Sequence, residues 1–194
     1  MKAVFIDRDG TINHDPSGYI ASIKDFHLYP YTAEAIKIFN KLDFKTIVVS
    51  NQSGIARGLF TEDDLKSLHQ FMKDELAKEG AFLDLILYSP FHPGGIVEPY
   101  NVEHFSRKPR SGMFFEALKT FPIKAKQSYM IGDKDIDIEF GKNNGMVSFL
   151  VTPSLTNDTS AFSILNNTIL PDFIVSNILS AAKVIKVLER QKNG

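Results

Sequence analysis

The sequence predicts a three-layer α/β fold, a parallel sheet with helices on both faces. Two observations carry this. Short, wholly apolar runs recur along the chain, and segments of helical apolar period stand between them. Continuous apolar runs suit strands buried on both faces, as in a parallel sheet covered by helices. Alternation of the two almost throughout the chain implies right-handed crossovers and a Rossmann-like architecture. A third observation concerns function: each unusual polar cluster directly follows one of the apolar runs, where ligands bind in such sheets.

The strands follow in order. Ala3-Val4-Phe5-Ile6 is the first, and residues 46–49, 85–88, 129–131 and 147–150 repeat its character, with a short last strand at 173–175. Between them, residues 32–42 carry Ala35, Ile36, Phe39 and Leu42 on one helical face. Thr61 and Asp64 form a capping-box pair, after which Leu65, Leu68, Phe71, Met72 and Leu76 share a face. Ser111 stands as the cap of a helix ending near Phe121, and a helix over 135–144 stops before Gly145, a natural C′ residue. The last helix covers 177–190, buries Ile178, Ala181, Ala182, Ile185 and Leu188, and ends in a basic turn that suits its dipole. Two long loops remain. Residues 90–109, rich in Pro, Gly and His, are a candidate substrate loop, and the Ser/Thr/Asn-rich stretch 152–168 reads as plain surface.

The 194 residues suit a single domain spanning 1–194. A net charge of -1 gives no reason to expect nucleic acid or an anionic membrane as partner. The absence of cysteine excludes disulfides, thiolate catalysis and cysteine-bound zinc. The apolar run at the amino terminus is too short for a signal peptide, and none approaches the roughly 20 residues of a membrane helix. A cytoplasmic protein is expected, and a monomer, since every apolar face has an intramolecular use.

Chemistry gathers at the strand ends. After the first strand comes Asp7-Arg8-Asp9-Gly10-Thr11; alternate residues of an extended segment point one way, so Asp7 and Asp9 face one site. Two neighbouring carboxylates require a cation or a proton between them, and Gly10 lets the chain turn away. After the second strand, Ser50-Asn51-Gln52-Ser53-Gly54 offers hydroxyl, amide and backbone N–H donors to a phosphate oxygen. Lys108, between Arg107 and Pro109, adds a positive charge. After the fourth strand, Gly132-Asp133-Lys134-Asp135-Ile136-Asp137 sets acids at alternate positions, a donor set for a hard cation such as magnesium. The plain readings are an Asp-Gly turn, a polar turn, a solvated lysine and an acidic helix start. Asp135 fits the last of these, whereas Asp133, immediately after the strand, does not.

These four pieces in this order resemble the haloacid-dehalogenase-like superfamily of phosphohydrolases, over about residues 1–152. The resemblance implies that Asp7 is the nucleophile, forming an aspartyl phosphate, and that Asp9 is the acid and base. It implies Mg2+ on Asp7, the Asp9 carbonyl and Asp133, with Ser50 and Lys108 holding phosphoryl oxygens and Thr11 and Asp137 in support. FIDRDGTIN, SNQSGIARG, RKP with Gly112-Met113, and GDK resemble the group of D-glycero-D-manno-heptose 1,7-bisphosphate 7-phosphatases and histidinol-phosphate phosphatases. That group implies a small phosphorylated metabolite as substrate, the heptose ahead of histidinol phosphate or another phosphomonoester. It implies contacts from Asp15, Tyr19, Asn51, Gln52, Ser53, Arg57, Arg107 and Lys134. The short stretch from Ser50 to Thr61 leaves no room for a large cap domain there. One departure is plain. Where such proteins carry three cysteines and a histidine for zinc, this chain has Ser89, Phe91, His104 and Ser106, so no structural zinc is expected. The competing class is a non-catalytic receiver-like phosphoacceptor, which keeps its aspartyl phosphate. An acid/base two residues from the nucleophile promotes its loss, so Asp9 favours the enzyme.

Overall fold

A computed structural model of the protein describes residues 1–16, 18–20, 22–152 and 169–192. The loop at 152–168 lies, but for Thr152, outside the described residues.

The elements in chain order are β1 (Ala3–Ile6), α1 (Thr32–Lys41), β2 (Lys45–Asn51), α2 (Glu62–Lys78), β3 (Leu85–Ser89), α3 (Gly112–Thr120), β4 (Tyr129–Gly132), α4 (Asp135–Asn143), β5 (Val147–Val151), β6 (Phe173–Val175) and α5 (Ile178–Lys192). The six strands form one sheet in the order β3-β2-β1-β4-β5-β6, and every pairing is parallel. β1 is central, with Ala3 opposite Lys45 on one side and Val4 opposite Tyr129 on the other. The chain builds outward from β1 to β3, then returns to start β4 on β1's other edge. That reversal opens a crevice beyond the carboxyl ends of β1 and β4.

Alternation along β1 splits the core in two. Val4 and Ile6 point into a cluster with Ile36 and Phe39 of α1, Leu65 and Leu68 of α2 and Ile185 of α5. Ala3 and Phe5 point to the opposite face, against Met113 and Phe114 of α3 and Phe140 of α4.

The caps decide where the helices begin. Thr61 and Asp64 form the expected reciprocal pair, Asp64 N–H donating to Thr61 Oγ1 (3.1 Å) and Thr61 N–H to Asp64 Oδ2 (2.8 Å). Gly145 turns the chain out of α4 at φ +73°. Asn177 caps α5 through Oδ1, which accepts from Ser180 N–H (2.9 Å). Ser111 does not cap α3: its backbone is already turned (φ -80°, ψ 6°), its side chain accepts no cap bond, and the Gly112 N–H goes to Phe105 O instead. A cap needs an extended backbone to aim its oxygen at the first turn.

Candidate active site

The crevice between β1 and β4 collects the polar residues that follow these strands. Asp7, Asp9, Asp15, Ser50, Asn51, Lys108, Lys134 and Asp137 line one small cavity. Asp7 leaves β1 with its N–H still bonded to Ile131 O of β4 (2.9 Å). Its carboxylate lies within a set formed with Asp133 and Asp137, whose ligand oxygens stand within 4.8 Å of one another. Gly10 then turns at φ +86°, where a Cβ would meet Asp133 Oδ2 at 2.2 Å. Glycine is therefore required here twice, for the turn and for the clearance. Gly132 plays the second part on the other strand, since a Cβ there would stand 2.4 Å from the Asp137 carboxyl.

Lys108 is buried and spends all three ammonium protons: on Asp7 Oδ1 (2.6 Å), Asp137 Oδ1 (2.6 Å) and Val49 O (2.7 Å). Burial alone would lower its pKa, but Asp137 and Asp7 outweigh burial and raise it, so it stays charged. Asn51 fixes the backbone of Lys108 from β2, its Oδ1 accepting from Lys108 N–H and its Nδ2 donating to Lys108 O, both at 3.0 Å. Asp137 accepts the Lys134 N–H on its second oxygen (3.1 Å), so both of its oxygens are engaged by this chain.

Asp133 differs. Its Oδ1 is buried without a partner, and its pKa is pushed up to about 8, chiefly by burial and then by the charge of Asp7, with Lys134 opposing. Carboxylates crowded this way, one with an orphaned oxygen, fit a hard divalent cation with oxygen ligands. Asp135 is exposed in the first turn of α4, as its sequence position implies.

Asp9 lies in a network that sequence reasoning missed. Arg8, fully buried, grips it bidentately, with Nε to Oδ1 at 2.9 Å and Nη2 to Oδ2 at 2.8 Å. Nη2 also reaches Ile20 O and Gln52 Oε1, and Nη1 meets His69 Nε2 of α2 at 3.2 Å. Asn13 and Gln52 each donate a further bond to Asp9 (3.0 and 2.8 Å). Burial pushes the Asp9 carboxyl up, but the Arg8 charge and these bonds prevail and hold it below its usual value. His69 must stay neutral to accept from Arg8; burial, then Arg8, lowers its pKa to about 3.

The other expected residues fall in two places. Gln52 Nε2 donates to Ser50 Oγ (2.6 Å), tying the second strand end to Asp9. Thr11 is buried behind the site with an unpartnered hydroxyl. Tyr19 is exposed, Lys134 stands 4.0 Å from Asp133, and Ser53 is half-buried. Arg57 stands against His92 of the 90–109 loop, and Arg107, within that loop, donates to Phe91 O. The positions that hold cysteines and histidine in similar sequences do come together here, without sulfur. Ser106 Oγ lies 2.7 Å from His104 Nδ1 and 3.0 Å from Ser89 Oγ, and the Phe91 ring stacks on His104 at 3.8 Å. A roomier cleft at the opposite end of the sheet is lined by Lys2, Lys45, Lys124, Lys126 and Lys192, and offers no cluster of acids around a nucleophile.

Known proteins resemble this chain in sequence and in fold. A HAD-hydrolase-like family model matches residues 105–181. A D-glycero-beta-D-manno-heptose-1,7-bisphosphate 7-phosphatase of Rhodopseudomonas palustris is 38% identical over 147 residues, 76% of this chain and 81% of that protein. The Escherichia coli O6:H1 protein of the same name is 43% identical over 139 residues, 72% of this chain and 73% of its own. Among solved structures, a D,D-heptose 1,7-bisphosphate phosphatase from B. bronchiseptica, complexed with magnesium and phosphate, superposes with a TM-score of 0.80. It covers 98% of this chain and 99% of its own at 24% identity, a likeness of fold.

Proposed function

Because the chain belongs to the haloacid-dehalogenase-like hydrolase family, we propose that it is a magnesium-dependent phosphatase that removes the 7-phosphate of D-glycero-D-manno-heptose 1,7-bisphosphate. The observation that carries the chemistry is the Asp7 carboxylate, held by Lys108 at 2.6 Å beside Asp133 and Asp137 in the switch-point crevice. The relatives at 38 and 43% identity carry the choice of substrate.

Asp7 and Asp133, with the Asp9 carbonyl, would hold Mg2+, which supplies charge neutralisation for the phosphoryl oxygens. An Asp7 oxygen attacks phosphorus in line; the new P–O bond forms as the bond to the sugar oxygen breaks. The Ser50 hydroxyl would hold a phosphoryl oxygen, while Lys108, its three protons committed, keeps Asp7 aimed and sets its charge beside the phosphoryl group. Asp9 gives the leaving sugar oxygen its proton; the incoming phosphoryl charge raises its affinity for that proton. A water molecule then attacks the aspartyl phosphate, passes a proton to Asp9, and releases phosphate as the bond to Asp7 breaks. Asp9's lowered pKa leaves it ionised, with an oxygen able to take that proton.

Asp15, Tyr19, Ser53, Arg57, Arg107 and Lys134 form the substrate-facing rim in this reading, while the amides of Asn51 and Gln52 brace Lys108 and Asp9 behind it. The reading extends to a monomeric cytoplasmic enzyme of carbohydrate metabolism without nucleic-acid or membrane partners, supported by a net charge of -1. The test is phosphate release with magnesium from the heptose bisphosphate and from histidinol phosphate. Turnover of the heptose, lost by on the order of 10⁴-fold in Asp7→Asn, is expected. Asp9→Asn should lose about 10²- to 10⁴-fold, trapping acid-stable label where breakdown of the aspartyl phosphate is the slower step and abolishing turnover without label where its formation is. Turnover that survives Asp7→Asn sinks the mechanism, and activity on histidinol phosphate alone sinks the substrate.

A further inference from the structure

Successive side chains of an extended segment point to opposite faces, so neighbours in sequence seldom grip each other. Arg8 and Asp9 do, because the chain has left β1 and coiled. The N–H groups of Thr11, Ile12 and Asn13 all converge on the Arg8 carbonyl, at 3.3, 2.8 and 3.3 Å. The two guanidinium bonds to the Asp9 carboxylate are 2.9 and 2.8 Å, one to each oxygen. Asn13 and Gln52 add one bond each, which leaves the plane of the carboxylate to the bidentate grip.

What holds Arg8 therefore decides how Asp9 faces. Its Nη2 reaches Ile20 O and Gln52 Oε1. For Nη1, His69 Nε2 at 3.2 Å is the one acceptor among the described residues. A guanidinium only donates, so Nε2 accepts and the imidazole proton sits on Nδ1. The guanidinium is planar, and fixing Nη1 sets the tilt of the whole fork. His69 stands 61 residues away from Arg8 in sequence, on α2, and is the one polar side chain among that helix's buried residues. Asp9 lines the site cavity, whereas neither Arg8 nor His69 does. His69 thus reaches the reacting centre through Arg8 alone.

A carboxylate that gives up a proton in the transition state must face the leaving oxygen, and a small misplacement is costly. We propose that His69 is a positioning residue for Asp9: it fixes the Arg8 fork, and the fork holds the carboxylate in the plane from which it serves the leaving oxygen. The proposal rests on the phosphatase reading above, in which Asp9 protonates that oxygen.

The test separates the proton from the rest of the reaction. An alkyl oxygen leaves with a proton from Asp9, whereas p-nitrophenolate is a stable anion and leaves without one. The decisive variant is His69→Leu, which removes the acceptor and suits a face that already carries Leu65, Leu68 and Leu76. Its kcat/KM should fall about tenfold on the alkyl phosphate that the wild type turns over, heptose bisphosphate or histidinol phosphate. On p-nitrophenyl phosphate it should stay within about twofold of the wild type. His69→Gln, whose amide oxygen accepts from Nη1 again, should recover most of the loss. Asp9→Asn is the control, and its own loss should be far larger on the alkyl ester. If that control shows the split and His69→Leu loses equally on both substrates, or on neither, the positioning role alone is overturned. If Asp9→Asn itself loses equally on both, Asp9 is not the acid, and the reading beneath the proposal falls with it.

Discussion

The two ends of the parallel sheet treat buried carboxylates in opposite ways. At the amino end, Glu189 of α5 accepts from Tyr129 OH (2.8 Å), Lys192 (2.9 Å) and Lys2 (2.7 Å). Burial pushes its pKa up, but these donors prevail and bring it to about 2. At the carboxyl end, Asp7, Asp133 and Asp137 crowd around one buried lysine, and Asp133 rises to about 8. One end has donors in surplus and the other has acids in surplus. The difference separates an ion cluster complete within the chain from one that, in the proposed reading, is completed by a cation and a substrate.

The comparison breaks most readily at Lys108. Lys108→Met leaves Asp7 and Asp137 buried without their shared counter-ion. Chemical denaturation should show a loss of about 3–5 kcal/mol, and kcat should fall by on the order of 10³-fold. A variant as stable as the wild type would mean that the carboxyl end does not depend on its internal cation. A smaller loss is expected at the other end. Glu189→Gln should cost about 1–3 kcal/mol, because Lys2 and Lys192 lose their charged acceptor. Its kcat/KM should match the wild type, and a change in rate would show that the two ends communicate.

The smallest effect sharpens the contrast. Without a cation, Asp133 in the folded state keeps a proton that the unfolded chain releases near pH 4. Stability from this group is therefore highest at low pH and declines as pH rises toward about 8. A cation replaces that proton, so magnesium should raise Tm by a few degrees more at pH 8.5 than at pH 6. Equal shifts in calorimetry at the two pH values would contradict the assignment of Asp133 as a cation ligand.

Much of this was legible in the sequence. All six strands read as apolar runs, the four inner ones because the sheet buries both of their faces, and the capping box at Thr61 is local chemistry that four residues specify. Arg8 was not legible. It reads as a spacer between two acids, yet its guanidinium is satisfied by Asp9, Ile20 O, Gln52 and His69, of which all but Asp9 are distant in sequence. The one local signal was a basic residue set between two acids, two positions past a wholly apolar strand. His69 was hidden in the same way, as one more member of α2's buried face. Ser111 failed for a backbone reason, since residue type cannot report that the chain has already turned. Asn51 stood in the expected place, but its partner, the backbone of Lys108, lies in another loop.

That pair of Asn51 bonds bears on how such a protein changes over generations. Because β2 grips Lys108 by its main chain on both sides, the lysine keeps its position whatever side chains decorate the preceding loop. Residues 90–106 can therefore change, exchanging one means of bracing for another, while Lys108 goes on aiming the proposed nucleophile Asp7. The grip makes the loop a replaceable module, and divergence there becomes a route to new substrates rather than to loss of the enzyme.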